Sequence, residues 1–119
     1  MYSLMIVDDS LIIRRKIERN TDCKKFRIVA SVGSGAEALE VFPRCRPQLV
    51  TMDLTMPGMD GIECIKKLIT IDPEVRILVV SALSDKATGI RALKEGALGF
   101  LCKPFGDEQL FEALIRLAE

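Results

Sequence analysis

The side chains in this chain best placed for chemistry are three carboxylates, a hydroxyl and an ammonium. Each stands at the end of an apolar run. Asp8 and Asp9 follow the first run, Asp53 closes a second, Ser81 closes a third, and Lys103, with Pro104 after it, closes a fourth. The 119 residues contain no histidine, and none of the four cysteines (Cys23, Cys45, Cys64, Cys102) lies within C-x-x-C distance of another. Imidazole triads, His-ligated metals, paired-thiolate metal or redox centres and a histidine phosphoacceptor are therefore excluded, and the cysteines read as reduced thiols, several of them core-filling. Singly, each polar residue has an ordinary explanation: an Asp pair caps a helix, a strand-terminal Ser sits in a turn, a Lys is solvated. Together they do not, because gathered carboxylates repel one another unless a cation compensates. Oxygen-only ligands point to a hard ion, and Mg²⁺ fits best, held by one or two carboxylates plus waters and phosphate oxygens. Asp53 lies on the central candidate strand and is the best nucleophile, since a carboxylate accepts a phosphoryl group as an acyl phosphate. Mg²⁺ and Lys103 would neutralise the charge that develops.

These residues need a scaffold that delivers them to one edge. Five short apolar runs, at 4–7, 27–30, 49–52, 76–80 and 99–102, alternate with helical patterns at 11–20, 36–42, 62–71, 86–95 and 108–118. Nearly continuous Ile, Leu, Val and Met in several runs predicts strands buried on both faces, as in a parallel sheet covered by helices. The expected fold is α/β: a (βα)5, doubly wound, five-stranded parallel sheet of the flavodoxin-like kind, one domain over residues 1–119. In such sheets ligands sit beyond the carboxyl ends of the strands, where the five polar residues fall. Ser34 with Glu37 predicts a capping box, Ser84 or Asp85 and Asp107 predict the N-caps of the last two helices, and Gly96 suits the end of the fourth. Pro43 should stop or kink the second helix. Thr88 and Gly89 lower the helical propensity of the fourth, as expected of a movable element.

Composition limits the function. Lys plus Arg equals Asp plus Glu at 17 each, so no basic excess argues for nucleic-acid binding by this chain. Apolar runs such as Ile77-Leu78-Val79-Val80 are far too short to span a membrane, and the N-terminus has no positive segment before an apolar stretch. A cytoplasmic protein without membrane insertion is expected.

Four stretches carry a resemblance that covers essentially the whole chain: Ile6-Val7-Asp8-Asp9-Ser10, Met52-Asp53-Leu54-Thr55-Met56-Pro57-Gly58-Met59-Asp60-Gly61, Val80-Ser81-Ala82 and Lys103-Pro104-Phe105. The chain resembles the response-regulator receiver family, and from Val50 to Phe105 it looks closest to the CheY-like receivers of bacterial chemotaxis. The resemblance implies that Asp53 is the phosphoacceptor, that Asp8, Asp9, Asp53 and the backbone carbonyl of Thr55 hold Mg²⁺, and that Lys103 pairs with the phosphoryl group. It further implies that Ser81 supplies a hydroxyl that follows the phosphoryl oxygen, that the small Ala82 leaves the acceptor accessible, and that the Lys103–Pro104 bond is cis. Phe100 matches the family's switch aromatic. It lacks the hydroxyl of the Tyr found in many relatives, and Thr55 and Leu83 stand where family members tune phosphoryl lifetime. Phosphorylation is then expected to draw in Ser81, move the 82–85 loop, repack Phe100 and alter the face of the fourth helix, fifth strand and fifth helix toward a downstream protein. A histidine kinase is the expected phosphodonor.

Three rivals remain at the level of sequence. A phosphoaspartyl enzyme of the haloacid-dehalogenase type places a second Asp two residues after the nucleophile, where this chain has Thr55; only self-phosphorylation and slow autodephosphorylation are expected. A receiver trimmed from a longer regulator with a DNA-binding or enzymatic output domain is the second. A degenerate receiver used only for protein contacts is the third, and the full acidic set with Lys103 weighs against it.

Overall fold

Among the described residues strand and helix alternate: β1 (Tyr2–Val7), α1 (Leu11–Thr21), β2 (Phe26–Val32), α2 (Gly35–Cys45), β3 (Leu49–Asp53), α3 (Gly61–Ile71), β4 (Arg76–Ala82), α4 (Lys86–Lys94), β5 (Gly99–Lys103) and α5 (Asp107–Ala118). The computed structural model describes residues 1–21, 25–56, 58–82 and 86–119. The cap expected at Ser84 or Asp85, the Leu83 position, the rest of the 82–85 loop beyond Ala82, Pro57 and Cys23 lie outside the described residues. All pairings are parallel, in the order β2-β1-β3-β4-β5.

That order, with right-handed crossovers, sets which face of the sheet each helix covers. The step from β1 to β2 moves one way across the sheet, and every later step moves the other way. Right-handed crossovers running in opposite directions put their helices on opposite faces. One core accordingly joins Met5, Val7, Val50, Met52, Ile77 and Val79 to residues of α2, α3 and α4, including Ala38, Phe42, Ile65, Leu68 and Ala92. The other joins Leu4, Ile6, Leu49, Leu78 and Val80 to α1 and α5 through Ile17, Leu110, Leu114 and Leu117. The two lists alternate along β1, β3 and β4, the period of 2 expected of a sheet buried on both sides, whereas on β2 the register shift after Ile28 sends Phe26 and Ile28 to one core and Ala30 and Val32 to the other. Burial on both faces holds for β1, β3 and β4, whereas β5 is half-buried throughout and β2 largely so. Those two are the edges, with a neighbouring strand on one side only.

Thr51 of β3 is a polar residue buried inside the sheet, away from the carboxyl-end edge. Its side chain is buried, and its Oγ1 finds no hydrogen-bond partner among the described residues. An unsatisfied buried hydroxyl costs free energy. Thr51→Val is therefore expected to raise the stability to urea by about 1 kcal/mol, seen as a higher midpoint at unchanged slope. A lower midpoint would mean that the hydroxyl has a partner in solution.

Local signals met mixed outcomes. Ser34 does cap α2, its Oγ accepting from the Glu37 N–H at 3.1 Å. Gly96 takes the positive φ of a helix end, +119°, just after α4. Pro43 does not end α2, which continues to Cys45. It sits in the last turn on an exposed surface, where water can take the carbonyl that its missing N–H leaves. Asp107 is not the cap of α5 but its first helical residue. Gly106 holds the cap position, and the Gln109 side chain reaches back to accept its N–H at 2.7 Å. Asp107 instead serves the helix as a first-turn negative charge. Cys64 is buried in α3 and its Sγ faces the Gly35 carbonyl at 3.8 Å. Burial pushes its thiol up to about 11 against the opposing pull of Lys67, so it stays protonated and inert. Cys45 and Cys102 are free and half-buried.

Candidate functional site

β1 and β3 are neighbours in space but lie on either side of the reversal in strand order, so their carboxyl ends bound the crevice of the doubly wound sheet. Val7 pairs with Met52, which sets Asp8 and Asp53 at the same level. Asp53 pairs with Val80, one residue short of Ser81, and Ala82 pairs with Lys103. Register alone thus brings Asp8, Asp53, Ser81 and Lys103 to one edge. Asp8, Asp53 and Ser81 are buried, at 1%, 2% and 1% exposure, while Asp9 is exposed.

Each buried carboxylate is tied at one oxygen. Asp8 Oδ1 accepts the Ser10 N–H at 2.9 Å, a cap-like turn that opens α1, and Ser10 Oγ in turn accepts from Ile13 N–H. The cap of α1 is therefore Ser10; Asp8 supports it from outside the helix with one oxygen, and the capping role expected of the Asp pair is not what the hydrogen bonds show. Asp8 Oδ2 lies 3.0 Å from Lys103 Nζ and accepts no well-aligned hydrogen bond from the described residues. The pair is held by charge at close range, and the oxygen's lone pairs stay open to another cation. Asp53 Oδ1 accepts from both the N–H and the hydroxyl of Thr55, at 3.1 and 3.2 Å, and lies 3.7 Å from Lys103 Nζ. Asp8, Asp9 and Asp53 each offer an oxygen within 4.8 Å of the others.

Three carboxylates thus face one ammonium, and a divalent cation would balance the remainder. The donor set fits a hard ion: it is all oxygen, and it includes a buried carboxylate oxygen without a hydrogen bond. The group is one that could hold a metal. The Lys103–Pro104 peptide is cis, and Thr55 stands exposed two residues beyond β3 with its N–H and hydroxyl turned back on Asp53.

Two glycines shape the site, and neither role was read from the chain. Gly61 opens α3 after its cap Asp60, whose Oδ1 accepts the Ile62 N–H. A Cβ at Gly61 would lie 2.6 Å from Leu54 Cα and 2.9 Å from the Asp53 carbonyl oxygen. α3 therefore starts in direct contact with the backbone that carries the acidic residue, and only glycine permits the approach. The one available hint was the Asp-Gly pair itself. Gly89 lies under Phe100: a Cβ there would stand 2.1 and 2.5 Å from ring carbons. Phe100 is half-buried and packs on the α2–α4 side core. The glycine that seemed only to loosen α4 makes room for an aromatic ring.

A parallel five-stranded sheet with an acidic crevice at the strand reversal and a lysine reaching into it defines a receiver module. The chain belongs to the response regulator receiver domain family, which it matches over residues 4–115. It is 34% identical over 119 residues to the chemotaxis protein CheY of Listeria monocytogenes, with both chains covered in full. It is 38% identical over 113 residues to CheY of Bacillus subtilis, covering 95% of this chain and 94% of that one. In three dimensions it is similar to the CheX–CheY–BeF3–Mg²⁺ complex from Borrelia burgdorferi, with TM-score 0.92 at 27% identity, covering 99% of this chain and 90% of the other. The chain is homologous to CheY, a phosphorylation-activated response regulator of chemotaxis. Among the described residues, no helix is long and apolar enough to cross a membrane.

Proposed function

We propose that this receiver takes a phosphoryl group from a histidine kinase onto Asp53 in a Mg²⁺-dependent reaction and thereby changes its affinity for a downstream protein in chemotaxis-type signalling. One observation carries the proposal: Lys103 Nζ stands between two buried carboxylates, 3.0 Å from Asp8 and 3.7 Å from Asp53, beside a third, exposed carboxylate. Asp8, Asp9, Asp53 and the Thr55 carbonyl would hold Mg²⁺, which when bound withdraws charge from the phosphoryl oxygens. An Asp53 carboxylate oxygen forms the new bond to phosphorus as the phosphorus–nitrogen bond of the donor phosphohistidine breaks and the imidazole leaves. Lys103 moves from pairing with carboxylates to pairing with the phosphoryl group. Ser81, buried at the end of β4, then offers its hydroxyl to a phosphoryl oxygen, and Phe100 repacks against α4. Release follows by attack of water on the acyl phosphate, so the chemistry is confined to self-phosphorylation and slow autodephosphorylation.

The output face would be that of α4, β5 and α5. Ile90 and Leu93 on α4 and Leu98 just before β5 are large apolar residues at 48%, 42% and 63% exposure, beside the half-buried Phe100. Charge on Asp53 reaches this face only if the two states bind the partner differently. The relative in the Borrelia complex binds CheX with BeF3 and Mg²⁺ present, which supports a partner interaction coupled to this site.

Incubation with Mg²⁺ and acetyl phosphate, followed by intact mass measurement, tests the chemistry. A labile gain of one phosphoryl mass that is lost with EDTA is the expected result. No adduct, where another receiver is labelled under the same conditions, would return the chain to a contact-only module.

A further inference from the structure

We infer that Lys16 is a positioning residue for Lys103, holding the β5–α5 turn so that the Lys103 ammonium stays between Asp8 and Asp53; the inference rests on the phosphoryl-transfer chemistry proposed above. Lys16 lies on α1, and nothing in its local sequence sets it apart from the basic residues around it. In the fold its Nζ donates to the backbone carbonyl of Phe105, 89 residues away, and sits 4.6 Å from the centre of the Phe105 ring. One turn on, Asn20 Nδ2 donates to Asp107 Oδ1 at 2.9 Å and to the Lys16 carbonyl at 2.8 Å. Two successive turns of α1 thus grip the segment that follows Lys103 and Pro104.

The grip acts where it matters for the site. Phe105 is buried, at 3% exposure, in the core shared by α1 and α5, while its carbonyl precedes Gly106, the cap of α5. Lys16 meets that carbonyl and the ring face with one charged group, a hydrogen bond and a cation–π contact together. Lys103 is two residues upstream, the last of β5, with its side chain 23% exposed. An ammonium on a flexible four-carbon stem keeps a fixed place only if its backbone is held. β5 is an edge strand, so its sheet pairing comes from β4 alone; α1 supplies the second hold.

The two tasks of Lys103 make the test specific. Its ammonium competes with a divalent cation for Asp8 and Asp53, and it also stabilises the phosphoryl group in transfer. Loosening it should therefore tighten Mg²⁺ and slow phosphorylation at once, whereas general damage to the site weakens both. Lys16→Met keeps the stem over Phe105 and removes the donor and the charge; Lys16→Arg restores both. Mg²⁺ dissociation constants would be measured by titration without phosphodonor, and phosphorylation rates with acetyl phosphate at saturating Mg²⁺. Lys16→Met is expected to bind Mg²⁺ about two- to fivefold more tightly and to phosphorylate about three- to tenfold more slowly, with Lys16→Arg near wild type. Wild-type values in both measurements for Lys16→Met, or weaker Mg²⁺ binding together with slower phosphorylation, would overturn the inference. Absence of any adduct on the wild-type chain would instead overturn the phosphoryl-transfer proposal, and the Mg²⁺ titration would still decide whether Lys16 sets the position of Lys103.

Discussion

The Asp53→Asn protein is expected to acquire no labile phosphoryl group, a loss of roughly 10³-fold or more in rate, because the amide cannot form the acyl phosphate. The same change should make the protein more stable in buffer without divalent cations. Asp8 and Asp53 are both buried and share the single ammonium of Lys103. Buried like charges oppose folding, and the amide keeps an oxygen where Oδ1 accepts from Thr55. A gain of about 1 kcal/mol in EDTA is expected from urea unfolding. In saturating Mg²⁺ the gain should shrink or reverse, since wild type then binds the cation more tightly and is stabilised by mass action. A variant less stable than wild type in EDTA would show that the attraction of Lys103 for Asp53 exceeds the repulsion between the acids, and the cation would lose its assigned part in relieving strain at the site.

Gly61→Ala is expected to cost about 2–3 kcal/mol, among the larger single-methyl effects available in this fold. The added carbon meets backbone, 2.6 Å from Leu54 Cα and 2.9 Å from the Asp53 carbonyl oxygen, so no side-chain rotation relieves it. Either α3 shifts outward or the end of β3 moves, and the second displaces the acceptor. The urea midpoint should fall at unchanged slope, and the rate of adduct formation should fall with it. Gly58→Ala separates crowding from backbone conformation. Gly58 has φ +90° and open space where a Cβ would go, so its cost should stay near 1 kcal/mol, with little change in rate. Equal costs at the two positions would show that contact with the Asp53–Leu54 backbone is not what glycine provides at 61.

The alternation of apolar runs and amphipathic stretches placed every strand and helix, because short continuous apolar runs and a period of 3.6 are written locally in the chain. Errors came at boundaries. β4 runs on to Ala82, α2 runs through Pro43, and Gly106 rather than Asp107 caps α5. β4 is prolonged by pairing of Ser81 and Ala82 with Cys102 and Lys103 of β5, and at the two helix ends solvent or a neighbouring side chain satisfies groups that local rules leave open. The acidic site was legible for a different reason. In a βα alternation, each residue that closes a strand is delivered to the same edge, so Asp8, Asp53, Ser81 and Lys103 could be grouped from their positions alone.

What the chain by itself determined is the alternation, the edge on which the polar residues meet, and the hard-cation character of their donors. Only the tertiary structure decided that Asp8 Oδ2 faces Lys103 without a hydrogen bond, that α3 begins against the backbone of Asp53, that the Phe100 ring needs Gly89, and that Lys16 meets the carbonyl and ring of Phe105. The last three contacts join residues 8, 11 and 89 positions apart, across elements whose spacing comes from the packing of two cores. No local period encodes them: a glycine in a helix and a lysine on its surface look the same in sequence whether or not a ring or a carbonyl is waiting opposite.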